Sequence, residues 1–151
     1  VKGAISHRTT YHYNLQNKCF IEGEIEPREN IKQIFGEAKN SKKNIDGVKG
    51  KVLFSDCFKE VKQKTKVFDH VSIDRFTGGA IDGALFQEKA IYDDSEYSIE
   101  ILLENNIDHE YVKAFESALT DITTGMLSLG GATTKGHGIF SGNVKKNGIL
   151  L

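Results

Sequence analysis

The spacing of apolar positions predicts three helices in this chain of 151 residues. Near-helical spacing predicts a helix with one buried stripe over residues 1–15 and a short helix over 31–35. A heptad-like stripe predicts an amphipathic helix over 109–127, and Asp108 is placed to act as its N-cap. The apolar stripe of this last helix is more typical of a protein core than of a ligand pocket.

Alternation of apolar and polar positions predicts the strands. The clearest alternation covers residues 97–103, a strand-like pattern covers 52–58, and a last strand is expected over 140–144. Apolar and β-branched residues lie on both sides of the turn-rich residues 77–83. This pattern predicts a long hairpin over about residues 65–92.

The order of these elements is helix, strand, hairpin, strand, helix, glycine-rich loop and strand. It corresponds to β-α-β-β-α-β without its first strand, an α+β fold with the ferredoxin-like (RRM-like) split arrangement. We therefore expect one domain over residues 1–151, with an open sheet position that a missing segment or another chain fills. The helix at residue 1 has neither a Met nor an N-cap residue ahead of it, which favours a processed, cut or partial chain.

Composition changes this picture little. The apolar fraction of 38% and the charged fraction of 27% are those of an ordinary globular protein. We expect a cytoplasmic protein, because no membrane span or signal peptide is visible and Cys19 and Cys57 form no disulfide or metal pattern. Both cysteines are predicted to be small buried groups.

Charge is distributed unevenly along the chain. The formal net charge of −1 argues mildly against a general nucleic-acid binder. Lysines are concentrated within residues 32–66, where they form either one basic face or a solvated loop.

The segment that most strongly indicates a binding function is the glycine-rich stretch 129–138, which reads LGGATTKGHG. Glycine permits positive φ and close approach, and such loops expose main-chain N–H groups that can converge on an anion. Lys135 and His137 add a fixed and a titratable charge. The order of elements excludes a Walker loop and a dinucleotide fingerprint, both of which precede a helix. A phosphate-binding loop and a turn that binds no ligand both remain open.

Three stretches together resemble the RAMP superfamily of CRISPR-associated proteins, and more narrowly the repeated backbone subunit of type III CRISPR effector complexes. Residues 1–5 (VKGAI) resemble the segment at the start of the family's first helix. Residues 70–80 (HVSIDRFTGGA), followed by Leu85 and Phe86, resemble its protruding thumb hairpin. Residues 129–138 resemble its C-terminal glycine-rich loop.

This resemblance implies that the protein binds CRISPR RNA and target RNA in antiviral defence, beside neighbouring subunits of the complex and away from membranes. The thumb is expected to wedge between nucleotides of the guide–target duplex, while the first helix and the glycine-rich loop hold the guide backbone. Such contacts hold phosphate without reading sequence. The RNA-binding residues implied are Lys2, His7, Arg8, Arg75, Phe76, Gly130, Gly131, Thr133, Thr134, Lys135, Gly136, His137 and Gly138.

The resemblance does not extend to a catalytic residue. Family members that cut target RNA use an aspartate in a loop preceding the first helix, a region outside this sequence, so no catalytic residue, metal ligand or cofactor is assigned. A divalent metal is expected only if a longer parent chain cleaves RNA.

Two alternatives to a structural RNA-binding subunit stay open. One is an endoribonuclease, which either cuts target RNA with that outside aspartate or processes precursor CRISPR RNA with His7 or His12. The other is a small ferredoxin-like module that binds protein. For Asp74 and Arg75, the readings are a catalytic acid with a phosphate clamp, or a capping or ion pair at the hairpin.

Overall fold

The computed structural model describes five segments and divides the chain into two compact units. The first unit comprises Val1–Ser55 with Glu100–Leu151, and the second comprises Asp56–Ile99. The segments described are residues 1–18, 31–39, 46–58, 64–92 and 95–151. Cys19 and part of the lysine-rich stretch lie outside them.

Three helices form where the apolar spacing predicts them. Helix α1 spans Lys2–Gln16, α2 spans Lys32–Phe35 and α3 spans His109–Thr123. Helix α3 is shorter than predicted, because the chain leaves it through Gly125, whose φ of +78° is left-handed. Asp108 does occupy the N-cap position of α3, but among the described residues its side chain makes no capping hydrogen bond.

The core of the first unit lies between α1, α3 and a small sheet. Strand β3 (Val52–Phe54) pairs antiparallel with β6 (Ile101–Leu103). Alternate side chains of this sheet pack against the buried cluster, whereas Leu53 and Leu102 face outward as directly opposed partners. The strand predicted over 97–103 is therefore only partly formed. The buried cluster consists of Ile5, Ile34, Val52, Phe115 and Ala118.

The second unit contains the predicted long hairpin. Strand β4 (Lys64–Ile73) pairs antiparallel with β5 (Ala80–Tyr92), and the register is interrupted by a bulge between Val71 and Ile73. Many of its apolar side chains are exposed, including Val67 and Leu85.

Two short strand pairings add to the sequence prediction, and one predicted strand is missing. Strands β1 (Gly36–Glu37) and β2 (Val48–Lys49) pair antiparallel, as do β7 (Lys145–Lys146) and β8 (Ile149–Leu150). The strand predicted over residues 140–144 was wrong, since these residues are irregular.

The hydrogen bonds explain the failed last strand. The N–H of Gly142 donates to Thr123 O at 3.0 Å, and Val144 O accepts from the N–H of Leu151 at 3.0 Å. Asn147 and Gly148 both have positive φ, which suits a tight hairpin turn. The backbone groups of this segment thus bond to the end of α3 and to the terminal hairpin.

The described strands pair into four two-stranded antiparallel sheets, so the fold is a mixture of helices and small sheets compatible with the α+β class. The prediction that Cys57 is buried was wrong; its side chain is exposed just beyond β3, where the chain leaves the core. Across the described segments, no helix is both long and apolar enough to cross a membrane.

Candidate nucleic-acid interface

Helices α1 and α3 are joined by a charged cluster at their contact. Arg8 and His12 lie one turn apart on α1, so their side chains share a face. Both reach Asp121 of α3: Arg8 Nε donates to Oδ2, and His12 Nε2 lies 2.6 Å from the same oxygen. All three side chains are largely shielded from solvent.

The cluster determines the protonation of Asp121. Burial by itself raises the pKa of this carboxyl, but hydrogen bonds and positive charge from His12 and Arg8 outweigh burial, so the pKa falls below its ordinary value. Asp121 is therefore a carboxylate near neutral pH. It anchors the Arg8 guanidinium at the surface of α1.

The glycine-rich loop is closed at its base by a close backbone approach. The N–H of Leu129 donates to Gly138 O at 2.9 Å. Gly138 has a φ of +72°, and a Cβ at this position would lie 1.8 Å from Leu129 O. Only glycine fits there, because any side chain would collide with the carbonyl of Leu129, the residue to which Gly138 is hydrogen-bonded.

Inside the loop, the chain turns through a short 3-10 helix, Thr133–Lys135, between two left-handed residues, Ala132 and Gly136. The N–H of Lys135 donates to Ala132 O at 2.9 Å, and that of Gly136 donates to Thr133 O at 3.1 Å. These N–H groups are used within the loop and do not point at an external anion. The exposed groups that a phosphate would meet include the Thr133, Thr134 and Lys135 side chains.

The hairpin ends in a turn that is held by Asp74. Its Oδ1 accepts hydrogen bonds from the N–H of Phe76 at 2.7 Å and of Thr77 at 3.1 Å. These bonds lower the pKa of Asp74. Asp74 therefore caps the turn, and Phe76 projects from it with 99% of its surface exposed.

A family model now gives these features a common context. The model of the RAMP superfamily matches residues 1–141, which include α1, the hairpin and the glycine-rich loop. The chain belongs to the RAMP superfamily. This confirms the resemblance to CRISPR-associated proteins seen in the sequence. No curated protein matches the chain.

The predicted RNA-binding residues of this RAMP protein occupy three surfaces. Lys2 and His7 are exposed on α1, beside the partly shielded Arg8. The loop residues follow α3 in the same unit: Gly130, Gly131, Thr133, Thr134, Lys135 and Gly136 are exposed, while His137 and Gly138 are half-buried. Arg75 and Phe76 are exposed at the hairpin turn of the second unit.

The two histidines of α1 differ in environment. His7 is exposed, whereas His12 is held by Asp121 and lines an open cleft of about 370 Å³ with the outer face of α3 and Leu151. Carboxylate-bound histidine is an arrangement that can serve acid–base chemistry. Within the described segments, no group of three His, Cys, Asp or Glu side chains is placed to hold a metal ion.

Sequence reasoning missed Asp121 as a partner of Arg8 and His12. A signal was present, because Asp121 lies three residues after Ala118 and seven after Ala114, at the spacing of the buried face of α3. An acidic residue on a buried helical face implies a cationic partner on the facing element. The sequence does not show that this partner is α1.

Proposed function

We propose that this RAMP protein is a CRISPR RNA-binding backbone subunit of a cytoplasmic type III ribonucleoprotein that acts in antiviral defence. The observation that carries the proposal is the long hairpin whose fixed turn displays Phe76. The RAMP membership supports the association with CRISPR, and the hairpin geometry supports the role of a thumb that enters the guide–target duplex.

The chemistry of the hairpin turn suits insertion between bases. An exposed aromatic ring is costly in water and gains by stacking or by entering a base step. Asp74 fixes the turn by accepting two backbone hydrogen bonds, so Phe76 is presented without a large loss of backbone entropy on binding. Arg75, its exposed neighbour, supplies a cation for an adjacent phosphate.

The glycine-rich loop and α1 are the proposed grip on the guide backbone. Thr133 and Thr134 supply hydroxyl groups and Lys135 supplies a cation on a turn that is closed by internal hydrogen bonds. None of these groups distinguishes one base from another, which suits a guide whose sequence varies.

We further propose the ferredoxin-like arrangement for the first unit. The antiparallel pair of β3 and β6, packed on α1 and α3, supports this assignment because two strands and two helices of that fold are then in place. CRISPR RNA, target RNA and neighbouring subunits are the proposed partners.

The grip is tested by measuring the affinity of the protein for a generic single-stranded RNA across a salt series. A linear fall of log affinity with log salt is expected, and its slope reports the number of phosphate contacts. The double variant Lys135→Ala, Gly136→Asp is expected to weaken binding and reduce the slope. Among the described atoms, a Cβ at Gly136 meets open space, so the added carboxylate causes no collision, although the positive φ of Gly136 strains any side chain there.

Lys145→Glu is the matched control, since it changes the net charge by the same amount as the double variant, at an exposed lysine of β7 beyond the segment matched by the family model. Unchanged affinity in the loop variant would remove the glycine-rich loop from the interface. Equal loss of RNA affinity in both variants would show that binding depends only on the net charge of the protein.

The thumb is tested with an RNA duplex that contains 2-aminopurine, whose fluorescence rises when it is unstacked. Wild-type protein is expected to raise the fluorescence and Phe76→Ala is expected to abolish that rise. Phe58→Ala is the control, because Phe58 is also highly exposed in the second unit but lies outside the hairpin turn. A rise that persists in Phe76→Ala would contradict the wedge.

One observation favours a second function, an endoribonuclease that processes precursor CRISPR RNA. His12 is oriented by Asp121 beside the Arg8 guanidinium, and these are the groups needed to move a proton and to stabilise phosphate charge. Metal-independent cleavage lost in His12→Ala and retained in His7→Ala would establish this function. Cleavage that needs a divalent ion and is absent from this chain by itself would instead favour a nuclease whose catalytic aspartate lies outside this sequence.

A further inference from the structure

Tyr11 stands out on the exposed surface of α1. The residue is 48% exposed, and the guanidinium carbon of Arg8 lies 4.6 Å from the centre of the tyrosine ring. The ring of His12 approaches edge-on, with 5.3 Å between the ring centres. One face of the tyrosine ring is therefore covered by the Arg8 guanidinium, while about half of the residue remains exposed.

The arrangement fixes the tyrosine ring in place. Arg8 is hydrogen-bonded to Asp121 of α3, and the same carboxylate also bonds His12. Three groups on two helices thus define the position of one exposed aromatic ring. A ring that is already ordered loses little side-chain entropy when a ligand stacks on it.

The other aromatic residue near this position has a different environment. Tyr13, two residues along α1, stacks on Tyr111 of α3 with ring centres 4.7 Å apart and planes at 20°. Tyr13 therefore fills the contact between the helices. Tyr11, by contrast, is about half exposed, so a further flat group can reach it.

The surroundings of Tyr11 suit a ligand that is both flat and anionic. His7 lies one turn earlier on the same helical face and is exposed. Arg8 contacts Asp121 through Nε, and its guanidinium carries further N–H donors on the two Nη atoms. A nucleotide has the matching chemistry, with a base for the ring and a phosphate for the cations.

We propose that Tyr11 is a stacking platform for an unpaired nucleobase of single-stranded RNA, held in place by Arg8 and Asp121, with His7 and Arg8 contacting the adjacent phosphate. The inference rests on the proposed RNA-binding function and adds to it a contact with a base. The contact selects no particular sequence, because every base has a face that can stack.

The test compares an RNA oligomer with an abasic oligomer of the same length, in the full chain and its variants. Base–aromatic stacking predicts that Tyr11→Ala weakens RNA binding by about 5- to 100-fold and leaves affinity for the abasic oligomer unchanged. Tyr11→Phe keeps the ring and is expected to bind as wild type. Tyr11→Leu keeps the apolar bulk without the ring and is expected to bind as weakly as Tyr11→Ala.

Leu15→Ala is the matched control, since Leu15 lies one turn later on the same face and is also about half exposed, at 51%. It is expected to change neither affinity. Far-UV circular dichroism of each variant confirms that α1 is retained.

The outcomes separate the two proposals. If wild type binds RNA and Tyr11→Ala binds it equally well, the platform is overturned while the RNA-binding function stands. Equal loss of both oligomers in Tyr11→Ala also overturns the platform, because a phosphate contact or the fold was affected. Absence of binding to either oligomer by wild type overturns the RNA-binding function and the platform with it.

Discussion

The packed unit and the hairpin use their apolar residues in opposite ways. In the packed unit, Ile5, Ile34 and Phe115 are buried between two helices and a small sheet. In the hairpin, Val67, Leu85 and Phe76 are exposed although they are equally apolar. The former stabilise the fold, and the latter are available to a partner.

Two aspartates show the same difference on a smaller scale. Asp121 joins two helices and is held by the side chains of Arg8 and His12 from elsewhere in the chain. Among the described residues, the Asp74 carboxylate accepts only from backbone N–H groups two and three residues away. Function in the packed unit thus depends on long-range packing, whereas the hairpin turn is specified locally.

The substitution expected to have the largest effect on stability is Phe115→Ala, in the packed unit. Phe115 is 2% exposed and makes edge-on contacts with Phe35 and Phe54, so its removal leaves a cavity in the core. We expect the free energy of unfolding in urea to fall by about 3–5 kcal/mol. Phe76→Ala is expected to leave this free energy within about 0.5 kcal/mol of wild type. Similar losses of unfolding free energy in both variants would contradict the distinction between a buried, stabilising Phe115 and an exposed Phe76.

The second prediction concerns the closure of the glycine-rich loop. Gly138→Ala places a Cβ against Leu129 O and is expected to cost about 3 kcal/mol in thermal or urea unfolding. Gly136→Ala has a comparable positive φ but, among the described atoms, meets none within 4 Å. Its expected cost is about 1 kcal/mol, from backbone strain alone. Equal losses of stability in the two variants would show that the close contact of Gly138 with Leu129 is not needed to hold the loop.

The third prediction concerns Asp121 and is smaller. Asp121→Asn retains the shape of the side chain but removes the charge that holds Arg8 and His12, and is expected to cost about 1–2 kcal/mol at neutral pH. Because the folded-state pKa of Asp121 is lowered, its contribution is present above the ordinary value of 3.8 and lost as pH falls through the folded-state pKa.

Urea unfolding of wild type and Asp121→Asn across acid pH checks this sign. Wild-type stability should fall more steeply than that of the variant below about pH 4. Parallel pH profiles would mean that the carboxylate does not stabilise the contact between α1 and α3.

The smallest effect is expected at the hairpin turn. Asp74 is a carboxylate with a lowered pKa, so its bonds to the N–H groups of Phe76 and Thr77 should persist at neutral pH and be lost at acid pH. The amide resonances of these two residues should titrate together in NMR spectra. In Asp74→Ala that shared titration should vanish while resonances of the packed unit stay unchanged. A global change of the spectrum would show that the turn is not a local structure.

The sequence pattern predicted elements whose cause is local. Helix α1 forms within a residue of its predicted start, and β4 and β5 form the hairpin expected from the flanking β-branched residues. The membership of the RAMP superfamily was also visible in three short stretches. The helix and the hairpin depend on the periodicity of apolar residues and on the residues of the turn, both of which are determined by neighbouring positions in the sequence.

Elements that need a distant partner were predicted less well. Residues 140–144 alternate as a strand would, but their backbone groups bond to the end of α3 and to the terminal hairpin. Tyr97 and Ile99 continue the alternation of β6 but lie outside its pairing with β3. A strand is completed by its neighbour, so alternation alone does not decide its length.

The candidate site divides in the same way. The sequence by itself determined that α1 carries Arg8, Tyr11 and His12, that the hairpin turn carries Phe76, and that a glycine-rich loop follows α3. Only the tertiary structure brought Asp121 to Arg8 and His12 and thereby fixed the ring of Tyr11. The physical reason is that these residues lie more than 100 positions apart, and their contact exists only because the core packs α1 against α3.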